Sequence, residues 1–397
     1  MDDYKKIEIR HFATSSCDKH YLLYCSGKYY EANQQVIMLL NALQSHRTKS
    51  EGIYSFIEQC HGKYSYRYVE EVIKKTIDPL LTAAEASNKK NAFILKREIF
   101  SASVIDKFSD SSKVLFKRMF LILILGLTLL LDIPFLLNAD DLLHFNGDIG
   151  LYTIVAILLF MLLSSLWHEI GHAAACKYFG IRHGGVGFGL YLNIPVLYTD
   201  VTEVWRLKRR QRCIVNLAGV YFQAYLLIVV LGLYFYTHYE LLKYLALVMN
   251  IGFAITLNPF FKFDGYWLMT DLTGVPNLRQ RSNEALVYLF RRVFRKPVGA
   301  KPYLLQIRKR ERWALTAYTA VVNVFMGYYF CYVLPYFFVR FVRQFPQQVR
   351  ELAFDLSQGY GVDFHLVHQM LSQLLFLALT VYFLYKLILP LCRWKQQ

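Results

Sequence analysis

The chain has 397 residues, of which 55% are hydrophobic and only 19% charged, against about 25% charged in an ordinary soluble domain. Apolar runs of bilayer-crossing length alternate with charged stretches, which excludes a soluble enzyme, a disordered chain and a fibrous protein. The net charge of +16 comes without a nucleic-acid recognition motif, and its basic residues cluster beside apolar runs. It is therefore read as a topology signal and as contact with anionic lipid, with no nucleic-acid partner.

Residues 1–90 read as a small soluble domain. Tyr21–Cys25, the turn residues Ser26 and Gly27, and Tyr29–Glu31 predict a hairpin. Val36, Leu39, Leu40 and Leu43 recur at helical spacing, as do Ile53, Phe56 and Ile57, and then Val69, Val72, Ile73 and Ile77. Strands followed by short helices suit a winged-helix-like α+β module. Met1–Arg10 is charged and lacks an apolar core, so the expectation is no cleavable signal peptide and a cytoplasmic N-terminus. Seven scattered cysteines with no C-x-x-C support neither a disulfide framework nor a zinc knuckle.

Residues 91–118 form a basic linker ending at Lys117 and Arg118. A spanning helix needs about 20 mainly apolar residues. Six segments qualify: roughly 119–138, 150–172, 213–236, 240–259, 314–339 and 366–390. The stretch 138–149 holds Asp140, Asp141 and Asp148 and no Lys or Arg, whereas Arg206–Arg212 and Arg291–Arg312 are strongly basic. The positive-inside rule then puts both termini in the cytoplasm and makes 340–365 an external loop.

The second segment ends in Trp167-His168-Glu169-Ile170-Gly171-His172, an H-E-x-x-H sequence. On a helix, residues four apart share a face, so His168 and His172 offer two imidazoles to one metal. Glu169 lies about 100° further round, placed to take a proton from water whose pKa zinc lowers to about 7. Ionisable side chains at membrane depth are expensive and tend to be functional. A catalytic zinc needs a third protein ligand. Asp264, in Lys262-Phe263-Asp264-Gly265-Tyr266 after the fourth segment, is the candidate, with Asp200 and Asp271 as rivals. By charge-derived topology the second and fourth segments both run inward, which brings His168, His172 and Asp264 to one side of the bilayer.

These residues resemble the site-2 protease family of intramembrane zinc metalloproteases, over roughly residues 150–275. The resemblance implies one zinc ion on His168, His172 and Asp264, with Glu169 as general base. The family's A-G-P-x-x-N is here Ala218-Gly219-Val220-Tyr221-Phe222-Gln223, which points to Gln223, with Asn216 as a rival, for contact with substrate. Its N-x-x-P-x-P-x-x-D-G is here Asn258-Pro259 followed by Asp264-Gly265, which adds Asn258. His168–Phe179, Tyr198–Val201 and Lys262–Trp267 are similar to a bacterial subgroup of peptide zinc metalloproteases linked to peptide maturation or export. Many of these carry a PqqD-like, leader-peptide-binding N-terminal domain.

Gly184–Leu192 is glycine-rich but has no strand–turn–helix context for a nucleotide. It reads as a hairpin or re-entrant loop near the metal, with Gly187 at its centre, whose edge can pair with an extended peptide.

The expectation is thus a polytopic α-helical membrane protein of about six spans with the small N-terminal domain, residues 119–397 forming the site-2-protease-like part. It would sit in the bacterial inner membrane and hydrolyse a peptide bond in a membrane-associated or leader-bearing precursor peptide, with an exporter as partner. The alternative is a non-hydrolytic, zinc-containing peptide-binding or export component. Glu169 argues against it, since a structural site has no need of that carboxylate.

Overall fold

The computed structural model describes residues 2–12, 20–25, 27–82, 93–137, 151–191, 194–297 and 301–358, with isolated positions between 366 and 381. The chain forms two compact units, Met1–Gly189 with Val196–Thr316, and Leu190–Pro195 with Ala317–Gln397.

The N-terminal part opens with the short helix α1 (Asp2–Lys5) and a sheet of β1 (Glu8–Phe12), β2 (His20–Cys25) and β3 (Lys28–Asn33), antiparallel in that order. Cys25 pairs with Lys28, and Gly27 takes the positive φ that this tight reversal needs. Helices α2 (Gln34–Ser45), α3 (Lys49–Gln59), α4 (Tyr66–Val72) and α5 (Asp78–Thr82) follow, with a π-helical turn between the last two. Asn33 caps α2 by accepting from the Val36 N–H at 2.9 Å, and Thr48 with Glu51 forms a capping box on α3. Leu23, Leu40, Leu43, Ile53, Phe56, Val69, Ile73 and Ile77 make one core. Each such side chain contributes about 1.5–3 kcal/mol on leaving water. The expected hairpin and all three helical periodicities are found, because their apolar residues meet in this core.

Residues 93–116, within the stretch read as a basic linker, contain β4 (Phe93–Phe100), α6 (Ala102–Ser112) and a 3₁₀ turn. β4 joins β5 (Val186–Tyr191) and β6 (Ile194–Thr199) in a second sheet, in the order β4-β5-β6. Gly184–Leu192 thus contributes a strand, as one of its two readings expected.

The larger helices are α7 (Arg118–Leu137), α8 (Leu151–Tyr178), α9 (Arg209–Thr237), α10 (Glu240–Thr256), α11 (Asp264–Thr273), α12 (Leu278–Val293), the short α13 (Tyr303–Gln306), α14 (Lys309–Tyr328) and α15 (Leu334–Ser357). Among the described residues, four helical stretches are long and apolar enough to cross a membrane: Arg118–Leu137, Tyr152–Tyr178, Arg209–Thr237 and Lys309–Ser357. The first two bury 11% and 22% of their apolar window, so most of their surface needs lipid. α9 buries half and packs against α7, α8, α10 and α11, which makes it the centre of its unit.

Four of the six expected segments are thus found among the described residues. The 240–259 segment is α10, which has 17 residues and is about 26 Å long, at the lower limit for a spanning helix. Segment 366–390 lies largely outside the described residues. The expected external loop is helix as far as Ser357. The helical stretch Lys309–Ser357 has 49 residues, more than the about 20 that one crossing needs. Between α7 and α10, Asn250 Nδ2 donates to Asp132 Oδ1 at 2.8 Å, a polar tie between otherwise apolar helices.

Candidate metal centre

α8 is unbroken from Leu151 to Tyr178, so His168 and His172 stand one turn apart on one face, with ring centroids 4.8 Å apart. Asp264 is the first residue of α11, where the helix's unpaired N–H groups favour a carboxylate. The turn into α11 is shaped by Asn258, whose Oδ1 accepts from the Phe260 N–H at 2.8 Å. It also depends on Gly265, where any Cβ would collide with the Leu257 main chain.

The three side chains converge. His168 Nε2 lies 2.9 Å from Asp264 Oδ2, His172 Nε2 lies 3.2 Å from the same oxygen, and the two Nε2 atoms are 3.1 Å apart. Zinc bonds of about 2.0–2.1 Å at tetrahedral angles put ligand atoms about 3.3 Å apart, so the triangle matches one face of such a tetrahedron. The hydrogen bonds behind the rings fix which nitrogens face inward. His172 Nδ1 donates to the Val215 carbonyl at 2.7 Å, and a carbonyl can only accept. His168 Nδ1 donates to Gln223 Oε1 at 3.0 Å, while Gln223 Nε2 donates to Ser164 Oγ at 2.8 Å. Each neutral imidazole thus presents a bare Nε2 lone pair to the other and to a carboxylate oxygen. Three acceptors at these distances repel unless a cation lies between them, so this donor set fits zinc.

Glu169 is 7% exposed. Its carboxylate has no hydrogen-bond partner among the described residues, and its peptide oxygen accepts from Thr199 Oγ1 of β6 at 3.2 Å. That contact ties the second sheet to the H-E-x-x-H helix, and Val186 and Leu197 of the sheet pack on Ala173 and Leu166 of α8.

The rivals of Asp264 are engaged elsewhere. Asp200 Oδ1 accepts from the Thr202 N–H at 3.0 Å and from its hydroxyl. Asp271 accepts from Arg212 Nε at 2.6 Å and Asn216 Nδ2 at 2.9 Å. Arg209 adds bonds from Nε to the Asp271 carbonyl at 3.0 Å and from Nη2 to that of Leu272 at 2.8 Å. Arg209, Arg212 and Asn216 of α9 therefore grip the C-terminal end of the helix whose first residue is Asp264. Arg212, only 3% exposed, also lies 5.3 Å from the ring centroids of Phe12 and Trp205. The basic stretch Arg206–Arg212 is expected to contact anionic lipid, but Arg209 and Arg212 are bonded to protein.

Of the residues expected to meet substrate, Gln223 stands behind His168, Asn216 is bonded to Asp271, and Asn258 closes the turn before α11. Gly187 lies in β5 facing Tyr198, where a Cβ would overlap that ring. Pattern reading gave no role to Gly219, where a Cβ would overlap the His168 ring, or to Gly171, whose Cα faces the Ala218 carbonyl. Nor did it mark Ser164, Val215 or Trp167, whose Nε1 donates to the Phe222 carbonyl at 2.8 Å. The available signal was the small residues Gly171, Ala174 and Ala175 of α8 and Ala218 and Gly219 of α9, which let two helices approach closely.

No protein-family model matches the chain, and no solved structure matches it. A curated protein that is similar to it is the "Putative peptide zinc metalloprotease protein YydH" of Bacillus subtilis (strain 168), 28% identical over 137 residues. The likeness is to a zinc metalloprotease. It covers 34% of this chain and 54% of that protein, so the chain spans about half the length of the relative it matches.

Proposed function

We propose that the chain is a zinc-dependent endopeptidase of the site-2 type, hydrolysing a peptide bond in a membrane-associated or small precursor peptide. The observation that carries this reading is the convergence of His168 Nε2, His172 Nε2 and Asp264 Oδ2 within 3.2 Å, one residue from a buried Glu169 with no hydrogen-bond partner among the described residues. The likeness to a named peptide zinc metalloprotease supports it.

His168, His172 and Asp264 would hold the ion, which when bound supplies Lewis acidity and acidifies water at that point. The Glu169 carboxylate takes the proton of the attacking water and returns it to the nitrogen of the departing amine. Gln223 and the Val215 carbonyl keep both imidazoles in the tautomer that faces Nε2 inward. β6 is an outer strand of its sheet, and its Thr199 is bonded to the Glu169 main chain. A peptide added there as a further strand would be extended, the form that opens its carbonyl carbons to attack.

In this reading residues 1–90 form a winged-helix-like domain that captures a leader peptide, and the rest of the chain, with β4 and α6 built onto the H-E-x-x-H helix, forms the protease. The protein sits in a bacterial inner membrane with both termini cytoplasmic, beside an exporter that takes the product. Glu169→Gln tests the chemistry: the variant should keep its zinc and lose processing of a precursor peptide. Processing that persists overturns the hydrolytic role and leaves a zinc-containing peptide-binding component.

A further inference from the structure

The structure has an open cleft of about 950 Å³ bounded by α11, α12, α13 and His20 of the N-terminal sheet. It lies at the upper end of the range for ligand pockets, about 300–1,000 Å³, which suits a stretch of chain better than a single ion. Its charge is one-sided. Lys262, Arg279, Arg281, Arg291 and Lys301 line it against one carboxylate, Glu284. Arg281 already neutralises Glu284, with Nη1 at 3.0 and 3.1 Å from its two oxygens, and lies over the Tyr303 ring at 4.6 Å. Arg279, Arg291 and Lys301 are exposed and have no carboxylate partner among the described residues. The remaining wall carries amides and phenols, among them Gln280, Asn283 and Tyr288, which can bond a peptide main chain.

The position of the cleft connects it to the metal centre. Lys262 and Tyr266 line it and lie two residues before and after Asp264. Residues two apart on a helix point about 200° apart, so Tyr266 and Asp264 leave α11 on opposite faces. The cleft is therefore separate from the metal centre while sharing its helix.

We propose that this cleft is a docking site for an acidic, extended stretch of the peptide substrate, held apart from the bond to be cut. The proposal rests on the peptide-substrate reading above. The cations supply affinity for carboxylates in a salt-sensitive way, the amides and phenols hold the main chain, and the shared helix keeps the docked chain near Asp264.

The test is binding of a fluorescent glutamate-rich peptide, with its glutamine counterpart as control, to the full-length Glu169→Gln protein in neutral-lipid nanodiscs. The acidic peptide should bind, the glutamine peptide should not, and added salt should weaken binding. Arg279→Glu, Arg291→Glu and Lys301→Glu together should weaken it at least about tenfold. The three Gln replacements should fall between, with zinc content and helicity unchanged in both sets. Equal affinity for both peptides, or unchanged affinity in the reversed variant, overturns the proposal. So does loss of binding when phosphatidylglycerol replaces the neutral lipid, since the cleft then belongs to anionic headgroups. Because binding is read without turnover, absent peptide binding beside intact cleavage by the wild type refutes the docking site alone. Intact binding with no cleavage by the wild type refutes the protease reading alone.

Discussion

Gln223 offers the sharpest test of how the metal centre is built. Its Oε1 accepts from His168 Nδ1 at 3.0 Å, and its Nε2 is held by Ser164 Oγ at 2.8 Å. Gln223→Met keeps the length of the side chain and removes the acceptor. The half-buried Nδ1–H then loses its partner, which costs about 1–3 kcal/mol, and the ring loses what fixes its tautomer. At about 1.4 kcal/mol per decade, zinc affinity should fall about 10–100-fold, the range seen for groups that orient metal-bound histidines. Gln223→Glu keeps an acceptor and should restore most of it. Chelator competition on purified protein measures the affinity directly. If Gln223 instead contacts substrate, Gln223→Met should raise KM and leave zinc affinity untouched. Zinc affinity within about twofold of wild type would refute the reasoning.

Three further outcomes are expected. Gly219→Ala puts a Cβ into the His168 ring and should lower zinc content while helicity persists; Gly232→Ala on the same helix meets nothing within 4 Å and should retain full zinc content. Arg212→Met strands a buried Asp271, and removing one partner of a buried pair costs about 3–5 kcal/mol. The unfolding midpoint should fall sharply, with zinc lost as α11 loosens, and Arg212→Met with Asp271→Leu should recover most of the stability. Lys177 at 2.5 Å, with smaller help from His183, holds the Asp106 carboxyl below its ordinary value of 3.8. A lowered carboxylate pKa means stability that is present above the unfolded value and lost as pH falls through the folded one. The gap in unfolding midpoint between wild type and Asp106→Asn, both in chelator, should be constant near neutrality and close below about pH 4; a gap that persists there contradicts the pairing.

The N-terminal core and the H-E-x-x-H helix were legible because each depends on near neighbours in the chain. Leu40 and Leu43 share a face by spacing alone, as do His168 and His172, and the apolar stretch before Trp167 marks a membrane helix. Asp264 could be named as one of three acidic candidates, because helix-breaking residues and topology narrowed the search. The strand β4 was missed, since its partner strands lie some 90 residues on and its own stretch is basic. The length of the helical stretch after Lys309 was missed because Arg340, Arg343 and Arg350 look like loop residues when each is weighed alone.

The sequence by itself determined that the chain needs a lipid-facing surface, that two histidines share a helical face, and that a glutamate stands beside them; these follow from local periodicity and hydropathy. Only the tertiary structure decided that Asp264 rather than Asp200 or Asp271 completes the triangle, and that Gln223, Val215 and Gly219 shape it from behind. Those outcomes depend on close approach between α8, α9 and α11. Residues some 45–95 positions apart meet there only because small side chains let the helices touch and buried Arg212 holds Asp271 in place.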